Sequence, residues 1–411
     1  MKDFKQKLNG LKETGRYRSL VLPYGIDLTS NDYLGLAGSA YLHDCAIEYL
    51  QNGGLIGAGG SRLLRGHTDV HAALEDFAAV YFAAPKALYF ATGFQANSAL
   101  FQTLCTRHDV IIFDEYVHAS AREGIQNSQA QHIKAVHNDV NAFEEALRKA
   151  KAQQKADGQI WIAVESVYSM DGDIAPLKAL YGLAQRYDAI LVVDEAHATG
   201  VLGHDGKGLV YDLCMSLRAQ RSNPDSEIDC RIANAPRNDE CPENLISLHT
   251  CGKAMGVAGG LVCAPEDVID YMINAARGFI YSTAPLPVQA HLVQKSLEII
   301  GSDEGYARRE KLQKLCIKAQ QLFGGAGTHI VPIIIGDDEK AVCVAHELQQ
   351  KGYDIRAIRP PTVSEGTARL RLSLSADLDE SVLDRFAADL STVCCYDRHS
   401  DRAVASGGIL R

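Results

Sequence analysis

One lysine lies among small residues at the end of a short apolar run. Lys253 is the only lysine or arginine between Ser247 and Gly260, and its neighbours are mostly small, with several glycines. An amine in such surroundings loses hydration, which lowers its pKa and makes it a usable nucleophile and base. An isolated Gly-Lys pair is more often a surface lysine in a glycine-rich loop. The choice between the two therefore depends on residues upstream.

Two upstream segments place polar residues directly after apolar strands. The run at 189–193 ends in Asp194, with His197 three residues later, and the run at 87–91 ends in a turn at 92–97 that leads into a helix. Free N–H groups at a helix N-terminus bind phosphate, although a plain strand-to-helix turn fits this segment equally well. Asp194 and His197 also fit a salt bridge at a strand end or a metal pair. A metal normally needs further ligands, and no such spacing is present, so we predict no metal.

Together these residue types are the parts of a pyridoxal-phosphate site. A lysine forms a Schiff base with this cofactor, and a carboxylate pairs with the ring nitrogen so that the ring stays protonated and accepts electrons. Lys253 and Asp194 suit these tasks, and the imidazole of His197 can hold the carboxylate in place. The sequence therefore predicts a pyridoxal 5′-phosphate site.

The elements that must position these residues alternate between strand and helix. Such alternation predicts an α/β fold with a mostly parallel central sheet and helices on both faces, and ligands bind such sheets beyond the strand C-termini. Beyond about residue 291 the order is instead that of a smaller α+β domain. The expected strands are 87–91, 110–113, 161–166, 189–193, 260–263, 330–335, 355–358 and 368–373, with helices at 176–187, 338–351 and 378–391.

We predict four segments along the chain. They are an N-terminal segment at 1–45 that is helical to about residue 22, a large cofactor-binding domain at 46–290, a small C-terminal domain at 291–393, and a tail at 394–411. Residues 218–243 are polar and lack a helix or strand period, which indicates a long surface loop inserted into the large domain.

Composition narrows the class of protein. The chain has 411 residues and a net charge of −10, which argues against nucleic acid or an anionic membrane as a partner. No apolar run is long enough to span a bilayer, and the first residues lack the core of a signal peptide. The eleven cysteines include no Cys-x-x-Cys pair, so they form neither a disulfide framework nor a zinc pattern. We therefore expect a soluble, cytoplasmic protein.

Three motifs resemble those of a known family. Residues 194–203 (DEAHATGVLG), 169–173 (SMDGD) and 250–253 (TCGK) are similar to the α-oxoamine synthases. These fold-type I pyridoxal-phosphate transferases condense an amino acid with an acyl thioester and release CO2. The resemblance runs from about Asn31 to Leu390.

A C-terminal stretch resembles one branch of this family. Residues 357–363 and 366–372 are most similar to the members that join L-alanine to a pimeloyl thioester in biotin biosynthesis. A sister synthase of the glycine C-acetyltransferase or serine palmitoyltransferase type stays open, because these enzymes share the cofactor residues. The resemblance leaves open whether coenzyme A or an acyl carrier protein delivers the acyl group.

The resemblance implies roles around the cofactor ring. Lys253 forms the Schiff base and then removes the Cα proton of the amino acid, and Asp194 pairs with the ring nitrogen. His118 stacks on the ring, while Ser169 and His197 lie near the ring and its phenolic oxygen.

Further roles concern the phosphate and the assembly. Gly93 and Phe94 offer backbone N–H groups to the phosphate, and Thr250 adds a hydroxyl. Ser282 and Thr283 reach the phosphate of the neighbouring subunit, so the resemblance implies a homodimer with shared active sites.

The substrate roles fall to arginines and an asparagine. Arg371 clamps the amino-acid carboxylate, a task that suits a guanidinium. Arg369 lies on the same side of its strand, so only the resemblance favours Arg371. Asn31 helps to hold substrate from the partner chain, and Arg16 and Arg18 are candidates for the distal carboxylate of the pimeloyl chain.

Two features bear on this interpretation. The insertion at 218–243 lengthens the spacing between Asp194 and Lys253 relative to the family, and long surface insertions cost little in loop closure.

A cofactor-binding regulator or inactive relative is the alternative from another class. It predicts loss of the base or the carboxylate clamp, yet Lys253, Asp194, His118 and Arg371 are all present.

Overall fold

The computed structural model describes residues 3–222 and 242–393. It divides the chain into two compact units. The large unit comprises 31–314 and 375–377, and the small unit comprises the residues up to 30, 315–374 and those from 378 onward.

The helices and strands follow one another along the chain as the alternation predicts. The strands are β1 (Ile26–Asp27), β2 (Lys86–Phe90), β3 (Val110–Asp114), β4 (Gln131–Ala135), β5 (Ile160–Glu165), β6 (Ala189–Asp194), β7 (Leu245–Thr250), β8 (Gly260–Ala264), β9 (Ile330–Gly336), β10 (Tyr353–Asp354), β11 (Ala357–Ile358) and β12 (Ala368–Ser373). The α-helices are α1 (Phe4–Glu13), α2 (Ala40–Gln51), α3 (Asp69–Tyr81), α4 (Gly93–Leu104), α5 (Ala119–Asn127), α6 (Val140–Gln153), α7 (Leu177–Tyr187), α8 (Leu209–Ser222), α9 (Glu266–Ala275), α10 (Arg277–Ile280), α11 (Pro287–Ile300), α12 (Asp303–Phe323), α13 (Asp338–Gln350) and α14 (Glu380–Val393).

A seven-stranded sheet forms the centre of the large unit, in the order β2-β8-β7-β6-β5-β3-β4. Strand β8 runs antiparallel to both of its neighbours, and the other pairs are parallel. Alternate strand residues face two separate apolar cores: α6, α7 and α8 pack on one face, and α4, α5 and α9 on the other. The predicted α/β class, with helices on both faces of a mostly parallel sheet, is confirmed.

Burial explains which strands the sequence revealed. All six residues of β5 are buried, as are all but one of β6, so both strands appear as continuous apolar runs. Strand β4 was not predicted. It lies at the sheet edge with three of its five residues exposed, and its sequence QHIKA carries no apolar run.

The small unit contains an antiparallel sheet in the order β11-β12-β9, together with α13 and α14. Of the strand predicted at 355–358, only Ala357–Ile358 is a strand (β11), and the separate strand β10 ends just before the predicted range, at Asp354. Strand β1 pairs in parallel with β10, placing Ile26 opposite Tyr353. This pairing is why the first thirty residues group with the C-terminal part of the chain.

The two units therefore divide the chain differently from the predicted segments. Instead of ending at residue 290, the large unit continues through α11, which packs on α2 and α3. The predicted N-terminal helix is also shorter, because α1 ends at Glu13. Residues 218–222, predicted to begin a loop, form the last turn of α8. The remainder of that prediction up to residue 241, and the predicted tail at 394–411, lie outside the described residues.

Candidate active site

A pocket opens where the strand C-termini of the large unit meet. Residues at or just beyond the C-terminal ends of β2, β3, β5, β6 and β7 converge there. Its lining comprises Gly93, Phe94, Asn97, His118, Ser120, Glu165, Asp194, Ala196, His197, Leu248, Thr250 and Lys253. Seven of the predicted site residues therefore come together: Gly93, Phe94, His118, Asp194, His197, Thr250 and Lys253.

Lys253 lies in the turn after β7 and is half-buried. Its Nζ is 2.7 Å from Nε2 of His197. On the other side of the imidazole, Nδ1 is 2.6 Å from the hydroxyl of the fully buried Tyr33. The Tyr33 hydroxyl donates to Oδ1 of Asn31 over 2.9 Å. A continuous chain of hydrogen bonds thus leads away from the lysine.

This chain favours one tautomer of the His197 imidazole. Tyr33 has one hydroxyl hydrogen and gives it to Asn31, so its oxygen accepts from Nδ1–H of His197. The lone pair of Nε2 then faces Lys253. His197 is therefore arranged as an acceptor for a proton on the lysine amine.

Asp194 is the last residue of β6, and the residue is 8% exposed. Asn97 Nδ2 donates to its Oδ2 over 2.6 Å, and the backbone N–H of Ala196 donates to Oδ1 over 2.9 Å. Asn97 also donates to the Ser120 hydroxyl over 3.1 Å. Asn97 and the turn after β6 therefore hold this carboxylate in place. The same task, which the sequence interpretation gave to His197, stays a prediction for that residue.

His118 is the N-cap of α5, where its Nδ1 accepts from the backbone N–H of Ser120 over 3.2 Å. Burial lowers the pKa of His118; Asp194 opposes this effect and Lys253 adds to it. The imidazole is therefore neutral at pH 7, and a neutral flat ring suits stacking on an aromatic cofactor.

The start of α4 forms the other end of the pocket. Thr92 caps this helix, its hydroxyl accepting from the N–H of Gln95 over 3.0 Å. The N–H groups of Gly93 and Phe94 lie in the first turn, where helix geometry supplies no intrahelical partner. A Cβ on Gly93 would lie 2.7 Å from Oγ1 of Thr250, so only glycine lets the helix start approach β7. The result is an anion cradle of two amides and a hydroxyl.

Other predicted site residues lie outside the pocket lining. Ser169 is in the turn after β5, and its N–H donates to the carboxyl of Glu165. Ser282 and Thr283 follow α10, and the next residue, Ala284, bonds through its N–H to the carbonyl of Gly60 over 2.9 Å.

The predicted arginines belong to the small unit. Arg369 and Arg371 are both buried on β12. Nη1 of Arg371 donates to the Ser373 hydroxyl over 2.7 Å. Arg16 and Arg18 are exposed and follow α1. Their substrate roles, like that of Asn31, stay predictions.

Comparison with known proteins is decisive for the family. The family model described as "Aminotransferase class I and II" matches residues 23–390. The chain belongs to this family. Two bacterial relatives named 8-amino-7-oxononanoate synthase are similar over nearly the whole chain. That of Herminiimonas arsenicoxydans is 37% identical and covers 93% of this chain and 97% of its own. That of Geobacter sulfurreducens is 36% identical and covers 94% of this chain and 96% of its own.

Solved structures agree with this assignment. A Francisella tularensis 8-amino-7-oxononanoate synthase matches with a TM-score of 0.71 and 26% identity, over 90% of this chain and 98% of its own. A Sphingomonas wittichii serine palmitoyltransferase matches with a TM-score of 0.80 over 98% of this chain and 97% of its own. Because the two sequences are only 22% identical, this match supports the fold alone. The resemblance to the α-oxoamine synthases is confirmed, and the cofactor is pyridoxal 5′-phosphate.

The residues present fit this cofactor. A buried carboxylate, an amine and a cradle of amides line one pocket, and the glycine at the cradle cannot carry a side chain. These groups match a ring nitrogen, an aldehyde and a phosphate respectively. Within the two described stretches, no group of three His, Cys, Asp or Glu residues could hold a metal ion, and no helix is both long and apolar enough to cross a membrane.

Three residues that contribute to the site were not predicted: Asn97, Tyr33 and Glu165. Asn97 lies one turn into α4, on the face that reaches Asp194. Tyr33 is adjacent in sequence to an ordinary polar turn, and Glu165 ends a strand as many structural residues do. The one available signal was that Glu165 is the only charged residue in the otherwise apolar, fully buried strand β5.

Proposed function

We propose that the chain condenses L-alanine with a pimeloyl thioester to give 8-amino-7-oxononanoate, CO2 and free thiol, a step of biotin biosynthesis. The observation that carries this proposal is the name shared by relatives that are 36–40% identical over most of the chain. The lysine, imidazole and carboxylate of the pocket supply the groups that such a reaction needs.

The reaction requires a base at the amino-acid Cα. When bound, pyridoxal phosphate supplies a protonated ring that draws electrons from this carbon. Lys253 Nζ takes the Cα proton, and His197 Nε2, 2.7 Å away, is placed to accept the proton that the amine then carries. Asp194 holds the proton on the ring nitrogen, because its buried charge is stabilised by Asn97.

The remaining steps form and break bonds in the substrates. The Cα electron pair attacks the thioester carbonyl, a C–C bond forms, and the thiol leaves with the C–S electrons. Loss of CO2 from the β-keto acid leaves an electron pair at Cα, and a proton from Lys253 completes the product. The neutral ring of His118 orients the cofactor, and Arg371 is proposed to bind the carboxylate of alanine.

Three finer statements also belong to the proposal. The active enzyme is a homodimer in which Ser282 and Thr283 complete the site of the neighbouring subunit. The acyl donor is pimeloyl-CoA or pimeloyl acyl carrier protein. The enzyme is proposed to act in the cytoplasm.

The decisive experiment measures thiol release by the purified protein with cofactor present. Each of alanine, glycine and serine is combined with pimeloyl, acetyl and palmitoyl thioesters. Release with alanine and pimeloyl thioester, together with CO2, supports the proposal. Preference for glycine with acetyl or serine with palmitoyl thioester identifies a sister synthase instead.

Variants connect that activity to the pocket. Lys253→Ala should abolish turnover while cofactor still binds noncovalently, and full activity in this variant would refute the role of the lysine. Lys86→Ala is the matched control, because Lys86 is in the same unit but forms ion pairs with Asp270 and Glu266 away from the pocket.

Mixed dimers test the sharing of sites. Lys253→Ala chains are mixed with chains that carry Ser282→Ala and Thr283→Ala. If the sites are shared, a mixed dimer contains one site with no substitution, so activity reappears on mixing. If each site is built within one chain, every site carries a defect and no activity returns.

A further inference from the structure

The segment between α10 and α11 places exposed residues directly beside buried ones. Thr283 is exposed and Ser282 is partly exposed, whereas the next two residues, Ala284 and Pro285, are buried. The N–H of Ala284 donates to the Gly60 carbonyl over 2.9 Å. Two residues with hydroxyl groups therefore lie at the surface, next to a backbone that is held from within the large unit.

His71 supplies a second anchor for this backbone. It is the third residue of α3, its side chain is fully buried, and its Nε2 is 2.9 Å from the carbonyl oxygen of Pro285. A carbonyl oxygen can only accept a hydrogen bond, so Nε2 carries the hydrogen. The two residues are 214 positions apart in the sequence. This contact therefore fixes the start of α3 to a segment far along the chain.

The other ring nitrogen of His71 is engaged by its own helix. Thr68 is the N-cap of α3, and its backbone N–H and its hydroxyl lie 3.3 Å and 2.8 Å from Nδ1. Burial lowers the pKa of His71 to about 4, and the charge of Arg62 adds to this effect. The ring is therefore neutral at pH 7, with Nδ1 as acceptor and Nε2 as donor. It occupies the position that Glu or Gln commonly holds in a capping box.

Glu75, one turn further along α3, joins this helix to the central sheet. Its carboxylate accepts from the N–H of Tyr89 on β2 over 2.8 Å and pairs with the buried Arg62 over 2.8 Å. Arg62 also donates to the Tyr89 carbonyl over 3.2 Å. Because α3 is fixed in this way, the hydrogen bond from His71 ties Pro285 to a rigid part of the large unit.

We propose that His71 is a positioning residue: its Nε2–H holds Pro285 and thereby fixes Ser282 and Thr283 where they reach the cofactor phosphate of the neighbouring subunit. This inference rests on the proposed function, in which these two residues complete the neighbouring site, and not on the acyl donor. Loss of the hydrogen bond leaves a buried carbonyl without a donor and removes one of the two anchors. The defect then affects cofactor binding in the other subunit of the dimer.

Two substitutions separate the tasks of the two ring nitrogens. The amide of Gln places a donor near the position of Nε2, whereas the amide oxygen of Asn lies near the position of Nδ1 and leaves Pro285 without a donor. His71→Asn should weaken the binding of pyridoxal phosphate about tenfold, and His71→Gln should bind it within about threefold of wild type. Wild-type affinity in His71→Asn would overturn the proposal, as would equal weakening by both substitutions.

Tyr81→Phe is the matched control on the same helix. The Tyr81 hydroxyl also donates to a distant backbone carbonyl, that of Asp205, over 3.1 Å. Its loss should change cofactor affinity by less than about twofold. Hydrogen exchange of the full-length protein before cofactor is added gives a readout independent of activity. Residues 281–286 should exchange faster in His71→Asn than in wild type or Tyr81→Phe, and an unchanged rate would contradict the proposed anchor.

Mixed dimers determine in which subunit His71 acts. His71→Asn chains are combined with an excess of Lys253→Ala chains, and binding is followed by the visible absorption of cofactor joined to Lys253. Only sites of the His71→Asn chain give this absorption, and in a mixed dimer the other chain retains an intact His71. The dissociation constant should therefore return to within about threefold of wild type. A constant that stays about tenfold higher would overturn the proposal.

A parallel mixture with chains carrying Ser282→Ala and Thr283→Ala separates this inference from the proposed function. Recovery of binding with those chains but not with His71→Asn chains refutes the role of His71 alone. No recovery with either means that the sites are not shared, so the proposed assembly and the role of His71 fail together. Recovery with both, but without condensation of alanine and pimeloyl thioester, refutes the proposed reaction and supports the role of His71.

Discussion

Replacement of Asn97 by leucine tests how the pocket maintains its negative charge. The side chain is 3% exposed, and its Nδ2 donates over 2.6 Å to the buried carboxylate of Asp194. Leucine has a similar volume but no donor, so one carboxylate oxygen loses its partner. A hydrogen bond to a charged group is worth about 1.5–3 kcal/mol. At 1.4 kcal/mol per factor of ten, kcat/KM for alanine should fall by about 10- to 100-fold.

The assay is thiol release under subsaturating alanine, with folding checked by circular dichroism. Ser98→Ala is the control on the same helix, because Ser98 is also buried but accepts a neutral hydrogen bond, from Gln102 over 2.7 Å. It should change kcat/KM by less than about twofold, as substitutions away from a site commonly do. If Asn97→Leu retained kcat/KM within the same twofold, the carboxylate would not depend on Asn97 and the reasoning would be refuted.

Three other changes have defined outcomes. Gly93→Ala should weaken cofactor binding by about tenfold or more, because a Cβ there would lie 2.7 Å from the Thr250 hydroxyl; Gly182→Ala, with open space at its Cβ, is the control for equilibrium dialysis. Burial lowers the pKa of His249 to about 3, so the folded state excludes a proton that the unfolded chain binds below pH 6.5. Urea unfolding should therefore show stability falling as the pH drops from 6.5 towards 3, by at most about 1.4 kcal/mol per pH unit from this group, and His249→Gln should reduce that slope. Burial opposes protonation of His137, but hydrogen bonds and charge from Asp114 and Asp173 raise its pKa to about 10. The stabilisation from this group is therefore full below pH 6.5 and is lost as the pH rises through 10. His137→Gln should reduce the fall in unfolding free energy between pH 6.5 and 10, and an unchanged fall would contradict this.

The sequence was sufficient for the framework because burial on both faces leaves a pattern that is visible without a structure. Strands β5 and β6 are continuous apolar runs, and their polar C-terminal residues indicated where the pocket lies. Strand β4 carries no such signal, since its edge position leaves most of it exposed. Pairing between β1 and β10 joins residues more than three hundred positions apart, and nothing in either dipeptide indicates the other.

The residues missed at the site share a different property. Asn97 and Tyr33 act on Asp194 and His197 respectively, and neither side chain was assigned chemistry of its own. Their importance comes from a hydrogen-bond partner that is distant in sequence: 97 positions separate Asn97 from Asp194, and 164 separate Tyr33 from His197. Composition and periodicity describe local preference, so they cannot reveal which buried donor meets which buried acceptor. That pairing depends on strand register and helix placement together.

The same hydrogen-bond pairings determine how charge is distributed in the pocket. Four ionisable groups lie within it besides the lysine: Asp194, Glu165, His118 and His197. Burial lowers the pKa of His118 and raises that of Glu165, so burial disfavours the charged form of both groups. Donors are concentrated instead on Asp194, and the Tyr33 chain presents a lone pair of His197 to the amine. The fold thus places the Asp194 carboxylate and the Lys253–His197 pair in one pocket. Removing a hydrogen-bond donor to Asp194 should therefore lower kcat/KM more than removing a hydrogen-bond partner of His118.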